Sequence, residues 1–92
     1  MSTQIATLLV QTGDICGGRL RIEGTRLTVN QIVACYKLGL SPEEIADEYP
    51  QLSFAQVYTA LAYYHANKDE VEADLSLERE EAERLEREIS KF

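Results

Sequence analysis

Residues 41–56 read SPEEIADEYPQLSFAQ and contain two signals for the start of a helix. Each signal is a serine followed three residues later by Glu or Gln: Ser41 with Glu44, and Ser53 with Gln56. In such a capping box the serine side chain and the third helical residue bond each other's backbone N–H groups. A proline, Pro50, separates the two signals and cannot continue a helix. The sequence therefore predicts a helix of barely two turns followed by a longer one.

A further helix is predicted before this stretch, at about residues 29–38. Apolar residues recur there at helical spacing: Val29, Ile32, Val33, Tyr36 and Leu38. Gly39 follows, where a left-handed residue commonly ends a helix. Three helices with short connections and a short middle helix are typical of a helix-turn-helix domain. A purely structural bundle has the same order of elements and is the alternative.

Residues 18–29 read GRLRIEGTRLTV and predict a β-hairpin with the arms Arg19–Ile22 and Arg26–Val29. Gly24 lies in the turn, where a positive φ is often needed. Side chains alternate between the two faces of an extended chain, so the aliphatic residues can face a core while the arginines face outward. The outward residues are Arg19, Arg21 and Arg26. They predict a surface that binds anions, and a solvated hairpin face without a ligand is the alternative.

Composition limits the class of protein. The chain has 92 residues, of which 45% are hydrophobic, and this predicts one small domain. No apolar run approaches the roughly 20 residues of a membrane-spanning helix, so we expect a cytoplasmic protein. Cys16 and Cys35 make no disulfide framework or zinc-like spacing and are interpreted as buried apolar residues. With no nucleophile paired to a base and no ligand cluster, we expect no enzyme activity, metal or cofactor.

The charge is unevenly distributed. Residues 1–66 carry a net charge of about −2 and residues 67–92 one of about −5. Phosphate neutralisation supplies most of the affinity of DNA-binding proteins, so an acidic monomer is expected to bind DNA weakly. In a helix-turn-helix the third helix reads the bases, and its outward polar residues here are Gln56, Thr59 and Tyr63. The alternative for Tyr63 is a packing role at the edge of the core.

The last part of the chain has a heptad pattern. Spacings of four and three residues separate Val71, Leu75, Glu78, Ala82, Leu85, Ile89 and Phe92. This pattern predicts an amphipathic helix with one charged defect, Glu78, and little of its own to pack against. One interpretation is a solvated acidic helix. The other is a docking segment whose Leu85, Ile89 and Phe92 enter a groove on a partner while its glutamates meet a basic rim.

Several motifs together resemble the domain of unknown function 433 family. They are GRLRIEGTRLTV at 18–29, GLSPEEI at 39–45, YPQLS at 49–53 and VYTALAYY at 57–64. The resemblance covers about residues 12–75. Where the family commonly has a proline, this chain has Leu20. The resemblance implies a helix-turn-helix core similar to VapB-type antitoxins, which are often encoded beside a PIN-like ribonuclease toxin.

The resemblance also implies roles for the two parts of the chain. Residues 1–75 would form a helix-turn-helix domain with an N-terminal β segment, and 76–92 an acidic helical tail. A homodimer paired through Ile5–Val10 and the hairpin would bind operator DNA with the hairpin arginines on phosphates. The resemblance ends before the tail, and toxin binding by the tail is inferred from its own pattern and from how such antitoxins usually work. The tail would oppose the acidic metal site of the nuclease through Arg79, Arg84, Arg87 or Lys91. The competing hypothesis is a dimeric protein-interaction module that does not bind DNA.

Overall fold

The computed structural model describes residues 8–11, 13 and 19–90. In chain order the elements are β1 (Leu9–Val10), β2 (Arg21–Ile22), α1 (Val29–Lys37), α2 (Pro42–Glu48), α3 (Phe54–Ala66) and α4 (Lys68–Ile89). The predicted fold class is confirmed: a short antiparallel pair of strands precedes a mainly helical chain. Ile5 to Thr7, Cys16 and Phe92, which the sequence analysis singled out, lie outside the described residues.

The strand pairing differs from the predicted hairpin. β2 pairs antiparallel with β1, in the register Leu9 to Ile22 and Val10 to Arg21. The predicted arms also meet, since Arg21 and Thr28 form an isolated antiparallel bridge. Between them the backbone N–H of Thr25 donates to the Ile22 carbonyl, and Gly24 has a φ of 80°, as in a type II turn. The turn was therefore predicted correctly, whereas the pairing of β2 with β1 was not predicted.

Three capping boxes fix the first three helices. The two predicted boxes, at Ser41 and Ser53, are present with both reciprocal bonds. A third box at Thr28, with Gln31 as its partner, starts α1. Gly39, with a φ of 101°, follows the end of α1 as predicted.

The core lies between β2 and the four helices. Ile22, Ile32, Val33, Ile45 and Val57 are all fully buried. The inward side of the hairpin is as predicted, since Leu20 and Leu27 also pack against this core. No helix in the described part of the chain has the length and apolar character needed to cross a membrane.

The last helix is continuous across the predicted boundary between domain and tail. α4 runs for 22 residues from Lys68, so residues 75 and 76 lie inside it. Its first turns belong to the core, because Val71 is buried and Leu75 packs against the cluster. We call residues 79–89 the distal segment of α4.

Candidate protein-interaction surfaces

The three hairpin arginines occupy different environments. Arg19 forms an ion pair with Glu78 of α4, with 2.6 Å between Nε and the carboxylate oxygen. Arg21 is half-buried and donates from its guanidinium to the carbonyl oxygen of Thr25, 2.9 Å away, so it helps to close the turn. Arg26 is exposed. Arg19 and Arg21, two predicted anion-binding residues, thus take part in contacts that hold the fold.

The predicted reading residues of α3 do not form one surface. Gln56 is half-buried, and its side-chain oxygen accepts from the backbone N–H of Ser53 in the capping box. Thr59 is buried and donates its hydroxyl to the Ala55 carbonyl of its own helix. Tyr63 lines a separate cleft, about two turns further along the helix than Gln56.

Two clefts group the predicted residues differently. Arg26 and Gln56 line the same shallow cleft, beside the Gly24 turn. Arg19 and Tyr63 line another, whose far wall is the first part of α4. The structure therefore brings these candidates together in pairs, with the buried Thr59 belonging to neither cleft.

A buried amide anchors the first half of α4. Asn30 of α1, only 8% exposed, donates from Nδ2 to the carboxylates of Asp74 and Glu78, each at 2.8 Å. Glu78 also receives the ion pair from Arg19. We call these four residues the Asn30 network. It fastens α4 to α1 and to the segment before β2.

A second polar contact joins three helices. Glu72 of α4 accepts from Lys37 of α1 at 2.6 Å and from the hydroxyl of Tyr64 of α3. The Lys37 ammonium, and after it the Tyr64 hydroxyl, hold the pKa of Glu72 below its usual value. The same carboxylate raises the pKa of Tyr64. The first half of α4 is thus held by apolar packing, the Asn30 network and Glu72.

The distal segment of α4 has no such cover. Every residue from 79 to 90 is exposed. Leu85 is 56% exposed and Ile89 71%, and both continue the apolar seam that begins at the buried Val71. Arg79, Arg84 and Arg87, the predicted toxin-binding arginines, are all exposed on this segment.

The outer face of α3 is a second exposed apolar surface, which we define as Phe54, Ala55, Tyr58 and Ala62. All four residues are exposed, and Phe54 and Tyr58 are 56% and 48% accessible. The apolar pattern of α3 predicts Phe54 on one face with Val57, Leu61 and Tyr64; those three are buried, whereas Phe54, the first residue of the helix, is exposed. Within the described ranges, no group of three or more His, Cys, Asp or Glu residues could hold a metal ion.

Residues missed by the sequence analysis make most of the anchoring contacts. Asn30, Lys37, Glu72 and Asp74 received no role from pattern, because each partner lies at least eight residues away and up to 48 residues in the case of Asn30 and Glu78. From the sequence, Glu78 stands out only as a charged residue within an apolar seam. This residue was the signal, since a charge inside a heptad seam indicates a specific polar partner.

These features define a small, mainly helical protein with a three-helix core and a long C-terminal helix that is anchored at one end and exposed at the other. The family model described as "Protein of unknown function (DUF433)" matches residues 9–64. The chain belongs to the DUF433 family, as its motifs predicted. Comparison with curated proteins gives no match.

The fold is also similar to a solved member of this family. The crystal structure of a DUF433 member protein from Anabaena variabilis has a TM-score of 0.70 and 28% sequence identity to this chain. The similarity covers 76% of this chain and 69% of that chain. The match to the family model ends within α3, so α4 lies beyond the matched residues.

Proposed function

We propose that the protein is the antitoxin of a type II toxin–antitoxin pair and neutralises a PIN-like ribonuclease through the distal segment of α4. The observation that carries this proposal is the contrast within one helix. Its first half is anchored by Val71 and the Asn30 network, and its second half presents Leu85 and Ile89 to solvent. An exposed apolar seam on an otherwise polar helix is the feature by which a helix docks into a groove.

The charge around this seam favours a basic partner over a second copy. The heptad positions that flank Leu85 and Ile89 are occupied by Glu81, Glu86 and Glu88. In a coiled coil of two such segments these glutamates would face one another and repel. A groove with lysines or arginines along its rim would instead pair with them.

The arginines of the distal segment give the docked helix a way to inhibit. A PIN-like nuclease needs divalent metal held by clustered carboxylates. Arg79, Arg84 or Arg87 can form bidentate hydrogen bonds with such carboxylates and compete with the metal. Phe92, three residues past Ile89 in the heptad pattern, would extend the apolar contact. In this proposal the chain itself performs no catalysis.

Co-expression with the PIN-like nuclease encoded beside its gene tests the proposal. We expect the double variant Leu85→Gln, Ile89→Gln to lose neutralisation, so that growth stops, because both side chains would leave the partner's groove. Leu77→Gln is the matched control, since Leu77 is 57% exposed on the same helix but lies outside both the heptad seam and the distal segment. Unchanged growth with the double variant would contradict the proposal.

A sharper truncation than removal of the whole tail is available. A chain that ends after Arg79 keeps Asp74 and Glu78 and therefore the Asn30 network. It is expected to fold like the full chain and to lose neutralisation. Removal of residues 76–92 would take Glu78 away as well and would confuse unfolding with loss of the docking segment.

Operator DNA binding by a homodimer is the second candidate. The order of α1, α2 and α3, with only residues 49–53 between the last two, favours it. In a dimer paired through the N-terminal segments, the exposed Arg26 and the adjacent Gln56 would make the phosphate and base contacts. Arg19 and Arg21 could contribute only by giving up their contacts with Glu78 and Thr25.

A further inference from the structure

The outer face of α3 combines three properties that point to a protein ligand. It is a continuous stripe, because Phe54, Tyr58 and Ala62 are spaced by one helical turn. It is exposed along its length. It is also uncharged, since residues 54–66 contain no Asp, Glu, Lys or Arg.

An acidic border lies along this face. Helix α2 presents four exposed acids and no base: Glu43, Glu44, Asp47 and Glu48. Two of them adjoin the stripe directly. The Tyr58 hydroxyl donates to Glu43 at 2.7 Å, and Phe54 shares a shallow cleft with Asp47 and Pro50. The Tyr58 hydrogen bond lowers the pKa of Glu43.

This chemistry does not suit DNA. A reading helix approaches the phosphate backbone, and its affinity comes mainly from lysines and arginines that neutralise phosphates. The outer face of α3 carries no Lys or Arg, and four carboxylates lie beside it. A symmetric contact between two copies of this face would place the α2 acids of both copies together and is opposed in the same way.

We infer that the outer face of α3 is a binding surface for an amphipathic, Lys/Arg-rich segment of a partner protein. Apolar side chains of the segment would pack on Phe54 and Ala62. Its cations would pair with Glu43 and Asp47, and an arginine could also stack on the exposed ring of Tyr58. This surface is separate from the distal segment of α4, so the inference does not depend on the proposed toxin contact.

Titration of the isotope-labelled full chain with a helical Leu–Lys peptide tests the inference by NMR. A peptide of the same pattern with Glu in place of Lys is the charge control. We expect shift changes centred on Phe54, Tyr58 and Ala62 with the first peptide only, and weaker binding as salt rises. Changes confined to residues 79–89, or equal changes at every acidic residue, would overturn the inference.

Two variants with the same change in net charge separate the surfaces. Ala62→Lys places a cation in the middle of the outer face of α3, and Ala82→Lys places one on the distal segment of α4; both alanines are exposed. We expect the first to weaken peptide binding about tenfold, from loss of apolar contact and from charge repulsion, and the second to leave it within about twofold. The reverse order would overturn the inference.

A third variant and one further ligand complete the experiment. Phe54→Gln removes the largest apolar side chain of the stripe without adding charge, and it should also weaken binding while the far-UV circular dichroism stays unchanged. Duplex DNA added at low salt should leave the Phe54, Tyr58 and Ala62 signals in place. Shifts of these signals on addition of DNA would assign the face to nucleic acid instead.

Discussion

Among single residues, Asn30 shows how one polar side chain can decide where a helix lies. Its amide nitrogen has two N–H groups, and both are used by carboxylates of α4. Because Asn30 is only 8% exposed, these bonds are largely shielded from water. A neutral donor can serve two carboxylates at once, whereas an acid or an apolar residue at the same position could not.

We expect Asn30→Ala to lower the free energy of unfolding by about 1–3 kcal/mol, because two carboxylates lose a buried donor. Asn30→Asp should lower it further at low salt, since a third carboxylate would then face Asp74 and Glu78. Urea denaturation of both variants at low and high ionic strength measures the two effects. If salt leaves the difference between the variants unchanged, the charge repulsion assumed here is absent.

The same residue shows the limit of prediction from sequence. The hydrophobic seam through Val71 and Leu75 predicted the apolar side of α4, but the expectation that it has little of its own to pack against was wrong for these two residues, which pack against the core. The role of Glu78 could not be predicted, because its partners Arg19 and Asn30 are distant in the chain and only the fold brings them near. Local patterns give the apolar side of a helix but not the polar partner on the neighbouring one.

At the scale of the secondary-structure elements, the start of a helix was predicted correctly where its sequence signal spans four residues. The capping boxes at Ser41 and Ser53 placed the starts of α2 and α3. The box at Thr28 is not apparent from the sequence, because the same residue belongs to a hairpin arm: it bridges to Arg21 and also caps α1. The pairing of β1 with β2 was missed for a different reason: two-residue strands carry too little alternation to identify a partner.

Glu72 joins α1, α3 and α4, and its lowered pKa predicts how stability responds to acid. A carboxyl group whose pKa is lowered by folding stabilises the native state fully above its unfolded pKa of about 4.5, and this contribution is lost as the pH falls through the lower native value. We therefore expect the difference in unfolding free energy between the wild type and Glu72→Gln to be largest near neutral pH and to shrink below about pH 4.

The dependence of stability on pH in the alkaline range provides the control. The pKa of Tyr64 is raised by its bond to Glu72, so the tyrosine contribution is complete below its usual pKa and is lost as the pH rises through the higher native value. Thermal melts of the wild type, Glu72→Gln and Tyr64→Phe across pH measure both effects. If stability falls equally steeply at acid pH in the wild type and in Glu72→Gln, the loss comes from other carboxylates.

At the scale of the whole molecule, charge and shape separate two regions. The net charge is −7, and most of it lies in α4 and the residues after it. The described chain extends 55 × 30 × 26 Å, and the long dimension reflects a 22-residue helix, which alone spans about 33 Å. The molecule therefore consists of a weakly acidic globular part and an acidic helix that projects from it.

This charge distribution predicts how operator DNA binding must behave if it occurs. Because the chain has fewer basic than acidic residues, DNA binding should be measurable only at low salt. Its affinity should fall at least about tenfold between 50 and 200 mM salt. Arg26→Ala should weaken it, and Arg19→Ala should loosen α4 as well, because its ion pair with Glu78 is lost. Gel-shift titration with the DNA upstream of the gene measures both. The absence of binding at low salt would favour the protein-only alternative.

The uneven anchoring of α4 also bears on the lifetime of the protein. Hydrogen bonds within an isolated helix of about a dozen residues barely offset its conformational entropy, so the turns beyond Glu78 open at little free-energy cost while the core stays folded. A protease that requires an extended substrate can therefore begin at these turns without unfolding the domain. Occupancy of Leu85 and Ile89 by a partner would close that entry, so the partner-bound chain would outlast the unbound one.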